Sequence, residues 1–185
     1  MSDSDTLEAQ LIHQILGGAR DEFRLLVELH QTRIFSIIMK QVGNRSVAEE
    51  LAAEAFERAY FNLKSFKFRS TFATWLTRIA LNVTNNYFTS RRFNENLRNE
   101  SFSIDTHELA HHSGDVLERA QYFRSFFAAF GTLSPKLRDV LSLCGLQGCS
   151  YEEAAEILKI PIGTVRSRLN QAREKLRRKL EELTI

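Results

Sequence analysis

Helix breakers and cross-links are scarce in this chain: its 185 residues include two prolines, eight glycines and two cysteines. With proline only at Pro135 and Pro161, long helices can run uninterrupted. Cys144 and Cys149 are too few for a disulfide framework, and near a turn they read as two reduced, partly buried thiols. No apolar run reaches the ~18 residues that a membrane span needs, so no membrane insertion is expected. The start, MSDSDTLEAQ, is acidic and polar rather than a secretory signal, which points to a cytoplasmic protein. Charge of one sign is lacking too. The net charge is +2, so any nucleic-acid surface must be local and balanced by an acidic one elsewhere. There is no glycine-rich phosphate loop and no carboxylate cluster at metal-binding spacing, so no catalytic residue, enzyme activity or cofactor is assigned. His107, His111 and His112 have no ordered cysteine partner nearby in sequence, and no metal is expected there.

What is present is helical periodicity, and the fold class is all-α. Helices are expected over residues 5–16, then along a second segment with Phe23, Leu26, Val27, Ile34, Ile37 and Ile38 on one face. Gly43-Asn44 should stop that segment. A third helix is expected over 46–63 and a fourth over 71–91. RRFNENLRNESFSIDTHELAHHSGD is polar and, at roughly 25 residues, longer than connections inside one compact domain usually are. Two small helical domains, 1–92 and 117–185, joined by a flexible linker over 93–116, follow from this reading.

The carboxy-terminal part carries a helix-turn-helix pattern. Ser134-Pro135 suits a helix start. Ser150 with Glu153 has capping-box spacing. Ile160-Pro161-Ile162-Gly163 makes a turn. Val165, Leu169, Ala172 and Leu176 then repeat as one apolar stripe, while Arg166, Ser167, Asn170, Gln171 and Arg173 project away from it. In such motifs the second helix enters the major groove. Arginine there suits guanine, and asparagine or glutamine suits adenine. Lys175, Arg177, Arg178 and Lys179 add charge for phosphates.

Upstream, SFKFRSTFATWLTRIALNVTNNYFTSRRF sets Trp75 among Lys64, Lys67, Arg69, Arg78, Arg91 and Arg92. Arg78, Asn82 and Asn86 recur at one-turn spacing and share a face. Cations, aromatics and amides together suit unstacked single-stranded bases. Taken alone, Trp75 reads better as a core residue packed near Leu76 and Ile79.

LSPKLRDVLSLCGLQGCSYEEAAEILKIPIGTVRSRLNQAREKLRRKL resembles region four of the extracytoplasmic-function sigma factors, the group-four relatives of sigma-70. The Trp75 stretch is similar to the part of region two that melts and reads the minus-ten element. AEELAAEAFERAYFNL, residues 48–63, resembles the part that docks on the beta-prime clamp of RNA polymerase. The resemblance covers nearly the whole chain, with both halves in order. It implies an alternative sigma factor whose partners are core polymerase (beta-prime clamp and beta flap), promoter DNA and an anti-sigma factor.

By position, the resemblance implies polymerase docking through Glu49, Glu50 and Glu54. It implies capture of a flipped minus-ten base by the loop Lys67, Phe68, Arg69, Ser70 and Thr71. Trp75, Arg78, Asn82 and Asn86 would line the single strand. Arg166, Ser167, Arg168, Asn170, Gln171 and Arg173 would face the minus-thirty-five duplex. Relatives often carry an acid where this chain has Val47, which implies a weaker docking patch. The alternative function is a helix-turn-helix regulator that binds duplex DNA without polymerase, which would leave the Trp75 region and the acidic helix idle.

Overall fold

The computed structural model describes residues 3–90, 93–95 and 116–184, and among these there is no strand. The amino-terminal half has four helices: α1 (Asp3–Leu16), α2 (Phe23–Val42), α3 (Arg45–Asn62) and α4 (Phe72–Thr89). The carboxy-terminal half has α5 (Val116–Gly131), α6 (Pro135–Val140), α7 (Tyr151–Leu158) and α8 (Ile162–Thr184). A π-helical segment, Leu141–Leu146, continues α6.

Local chemistry sets most of these boundaries. Gly43 ends α2 in the left-handed region, at φ 66°, where a side chain would be strained. The same glycine admits Phe127, whose ring would lie 2.0 Å from an added Cβ. Asn44 caps α3 by accepting from the Val47 amide at 3.0 Å, and Thr71 caps α4 through the Thr74 amide at 3.1 Å. The Ser150–Glu153 capping box is complete in both directions, at 3.1 and 2.8 Å.

α2, α3 and α4 pack together around Leu26, Ile34, Ile38, Leu51, Ala55, Leu76 and Val83, and α1 closes that core with Ile12 and Ile15. In the second half the α8 stripe Val165, Leu169 and Ala172 is fully buried with Ala154, Ile157, Val140, Leu143 and Phe130. Burial of each large apolar side chain contributes about 1.5–3 kcal/mol. These stripes therefore hold the helices more firmly than their exposed ion pairs do.

The two halves touch. Phe93 packs edge-on to Phe88, at 4.8 Å between centroids, and Phe88 meets Phe130 at 5.6 Å. Residues 93–95 are helical and Phe93 is buried, so the first residues of the expected linker belong to the packed body. The linker histidines lie outside the described residues.

Polar contacts complete the junction. Arg78 on α4 donates to the carbonyls of Ile157 and Glu156, the latter at 2.9 Å, at the free end of α7. The Glu156 carbonyl also accepts from the C-cap Lys159 amide, at 3.4 Å, and both carbonyls carry the negative end of the helix dipole. Asn85 donates to Asp139 at 2.7 Å and accepts from Arg138 at 3.1 Å. Gln147 donates to the Ser36 carbonyl at 3.3 Å.

Candidate nucleic-acid interface

Along α8, Arg166, Asn170 and Arg173 are exposed at spacings of four and three, and Ser167 and Gln171 lie on the neighbouring row. The apolar stripe fixes this outward face, because Val165, Leu169 and Ala172 must all point inward. At 23 residues the helix is roughly 34 Å long, enough to lie along a major groove. The Arg166 guanidinium sits 5.9 Å from the Tyr151 ring, a weak exposed contact that leaves it free to turn outward. Arg168 differs from the other five residues. It is half-buried, and its charge acts on Asp139 of α6. The basic tail is not uniformly free either. Arg177 and Arg178 pair with Glu174, and Lys179 with Glu182 at 2.6 Å.

The loop 67–71 borders a cleft of about 330 Å³ lined by Glu8, Ala9, Ile12, Phe66, Phe68, Arg69, Ser70, Thr71, Phe72 and Glu156. Phe68 is exposed and sits at φ 52°, a backbone conformation that costs a bulky residue strain. Its ring stacks on His13, with centroids 4.8 Å apart and planes 19° from parallel. Phe66 also meets the ring, at 4.8 Å, so a partly exposed aromatic anchored by two rings lines the cleft. Glu8 is 3.1 Å from His30, which ties α1 to α2 behind the cleft. Burial lowers the His30 pKa, and the Glu8 carboxylate opposes that shift.

Trp75 combines both readings of its sequence. It packs against Phe66 at 5.4 Å and Phe72 at 5.6 Å, yet is only half-buried. Its edge shares a second cleft, of about 260 Å³, with Asn82, Arg58, Asn62, Ser65 and Ile79. Trp75 and Asn82 are thus brought together. Asn86 is exposed one turn further on, and Arg78 is turned to the end of α7. Arg58 and Asn62 were missed in the sequence. Their signal was a basic–amide pair four residues apart at the end of the acidic α3.

On α3, Glu49 and Glu50 are exposed and Glu54 is half-buried. Glu57 is exposed one turn beyond Glu54 and extends the row. Arg45 pairs with Glu49 at 2.9 Å and Arg58 with Glu54 at 2.6 Å. Glu49 also borders an apolar groove of about 400 Å³ between α2 and α3, with Val27, Phe35, Ala52 and Phe56 on its walls. Val47 is 3% exposed and faces the core. Its side chain takes no acid away from the exposed face, which corrects the inference of a weakened patch.

No described helix is long and apolar enough to cross a membrane. The family model for Sigma-70 region 2 matches residues 26–93, and the one for Sigma-70, region 4 matches residues 123–176. The chain is 32% identical to the ECF RNA polymerase sigma-E factor of Haemophilus influenzae, over 94% of this chain and 95% of that protein. It is 34% identical to the Escherichia coli ECF RNA polymerase sigma-E factor, over 94% of each. With the Bacillus subtilis ECF sigma factor SigW it shares 32% identity, over 93% of this chain and 96% of the relative. Among solved structures, the sigma factor RpoE of Bartonella quintana, determined with the anti-sigma factor NepR, superposes with a TM-score of 0.53 at 26% identity. That match covers 86% of this chain and 97% of RpoE. Because both regions match in order and full-length relatives align from end to end, the chain belongs to the extracytoplasmic-function sigma factors of the sigma-70 family, the alternative promoter-selecting factors of RNA polymerase.

Proposed function

We propose that the two halves divide promoter recognition as follows. α3 docks on core polymerase through Glu49, Glu50, Glu54 and Glu57, with the α2–α3 groove taking an apolar side chain beside them. The loop 67–71 takes one extruded minus-ten base into the 330 Å³ cleft against Phe68. Trp75, Asn82 and Asn86, with Arg58 added, guide the strand away from it. α8 reads the minus-thirty-five duplex with Arg166, Asn170, Gln171 and Arg173, and Ser167 stands on the same face. The domains are 1–92 and 117–185, joined by residues 93–116, of which 93–95 pack on the body through Phe93. The protein acts in the cytoplasm, carries no catalytic chemistry and is held by an anti-sigma factor, as RpoE is held by NepR.

The observation that supports this reading best is the strained, exposed Phe68 over a cleft of nucleobase size. A regulator of duplex DNA alone has no use for it. A protein without fuel must repay unstacking, a few kcal/mol per extruded base, by binding the single strand. Stacking on one aromatic side chain contributes about 1–3 kcal/mol of that.

In the free chain Arg78 and Asn85 are engaged by the second half. Polymerase must part the halves before Arg78 can meet DNA, so the chain alone binds promoters poorly. Gel shifts with and without core polymerase, beside permanganate footprinting on one promoter, test the scheme. Open complex only with polymerase supports it. Tight sequence-specific duplex binding by the protein alone refutes it.

A further inference from the structure

The segment between α6 and α7 places the two cysteines together. Cys144 lies in the π-helical segment and Cys149 immediately precedes the N-cap Ser150 of α7. The Cys149 amide donates to the Leu143 carbonyl at 2.9 Å. The Leu143 carbonyl belongs to the peptide that enters Cys144, so this one bond pins the two backbones to each other. Standard covalent dimensions then hold the two Cα atoms within about 7 Å, inside or at the edge of the range that a disulfide spans. The turn is fixed from both ends. Gln147 donates its amide to Ser142 at 3.0 Å, and Gly148 takes φ 73°. Both thiols are reduced and half-buried, so a small molecule can reach them. They also lie in each other's field: burial raises both pKa values, and the Cys149 charge raises that of Cys144 further.

We propose that Cys144 and Cys149 are a redox-active pair that closes an intramolecular disulfide when a hydroperoxide oxidises one of them. The peroxide first takes two electrons from one thiolate to give a sulfenic acid, releasing hydroxide from hydrogen peroxide or an alkoxide from an organic hydroperoxide, which then takes up a proton. The second thiol then attacks that sulfur, the S–S bond forms and water leaves. Overall, two thiols and one hydroperoxide give a disulfide, water and the reduced alcohol or a second water. Raised thiol pKa values make the first step slow at neutral pH, because the thiolate is the nucleophile. They also leave the reduced pair without a stabilised thiolate, so the disulfide, once closed, resists reduction. The ring would contain Gln147, which bonds to Ser36 of the first half, and would end at the cap of the helix-turn-helix. Oxidation therefore acts on the joint between the halves and on the entry to the DNA-reading motif together.

The test uses the full chain. Native protein is treated with hydrogen peroxide, and peptide mapping without reductant looks for a Cys144–Cys149 bridge with the loss of two hydrogens. The disulfide equilibrium is then measured in glutathione buffers for native and for urea-unfolded protein. The preset geometry should favour the native bridge over the unfolded one by at least about tenfold, the effective-concentration gain of held thiols. Cys144→Ser and Cys149→Ser should each stop at the sulfenic acid or a glutathione adduct. Bridging no better in native than in unfolded protein overturns the proposal, as do native products limited to mixed disulfides or linked dimers.

Discussion

Replacing Arg138 by alanine tests the junction between the halves, and its cost can be worked from the contacts. The side chain is 2% exposed. It donates to the Gly131 carbonyl at 3.1 Å, to the Leu133 carbonyl at 2.6 Å and to Asn85 of α4 at 3.1 Å. The guanidinium carbon stands 4.2 Å from the centre of the Phe88 ring. Charge-assisted hydrogen bonds contribute about 1.5–3 kcal/mol each. One of these bonds meets the last carbonyl of α5, at Gly131, and another the turn that follows it, at Leu133. The three bonds together with the ring contact give a gross loss of about 5–10 kcal/mol.

Against that stands the burial of a charge. Burial pulls the Arg138 pKa down to about 10, an opposing term of about 3 kcal/mol at 1.36 kcal/mol per unit that disappears with the guanidinium. Water entering the vacated space recovers part of the rest. The net expectation is a loss of about 2–4 kcal/mol, within the range for breaking a buried polar network. Urea unfolding followed by circular dichroism measures it. Arg138→Met keeps the packing on Phe88 and removes charge and bonds together, so it should lose less. A cycle with Asn85→Ala should show a coupling of about 1 kcal/mol, since the two side chains meet directly. If Arg138→Ala lies within about 0.5 kcal/mol of the parent, or if the coupling with Asn85 vanishes, the halves are not joined by this network.

Asp139 carries a pH dependence of definite sign. Burial raises its pKa from 3.8 to about 6, against the opposing pull of Asn85, Arg138 and Arg168. Its contribution is therefore complete below the unfolded value and lost as pH rises through about 6. Stability should fall by about 2 kcal/mol between pH 4 and 7.5 relative to Asp139→Asn, and parallel urea titrations of the two proteins would refute this. Arg166→Ala should weaken promoter binding by about 1–3 kcal/mol and relax discrimination at one minus-thirty-five position, whereas Arg173→Ala should lower affinity evenly and flatten the salt slope; gel shifts on single-base variants separate the two. Phe68→Gly removes the stacking face and relieves the φ 52° strain together. It should leave stability within about 1 kcal/mol of the parent while cutting permanganate-reactive open complex, with closed complex kept. Glu54→Lys reverses charge on the proposed docking face and should reduce co-purification with core polymerase more at low salt than at high salt.

The legible parts of the fold were those set by neighbours in sequence. Ser150 and Glu153 announce a helix start because both halves of the capping box lie within one turn. Gly43 announces a stop because the left-handed position after α2 suits glycine. The stripe Val165, Leu169 and Ala172 determined which α8 residues face outward before any contact was known. What stayed hidden depends on long-range pairing. Nothing near Arg78 in sequence says that it caps a helix 78–79 residues away. Asn85 looked like one amide among several, yet it is the residue that bonds to both Arg138 and Asp139. The weaker patch inferred at Val47 rested on the resemblance alone, and the resemblance does not say that this position is buried here. Trp75 could not be decided from sequence, since a core contact and a cleft edge ask for the same aromatic residue.

In the proposed scheme the halves separate as well as meet, and the junction mixes apolar and polar contacts. Here a few rings, Phe88, Phe93, Phe127 and Phe130, adjoin polar bonds whose desolvation cost offsets much of their gain. At neutral pH Asp139 is mostly ionised against the preference of its buried site, which weakens the closed form further. A partner that offers equivalent bonds can then displace the latch at small net cost. Arg78 now holds a helix C-terminus, and phosphate oxygens present the same negative charge and acceptor geometry to a guanidinium. In the proposed scheme the residue that closes the free chain also binds the strand once the halves part, so closing and reading would compete for one side chain.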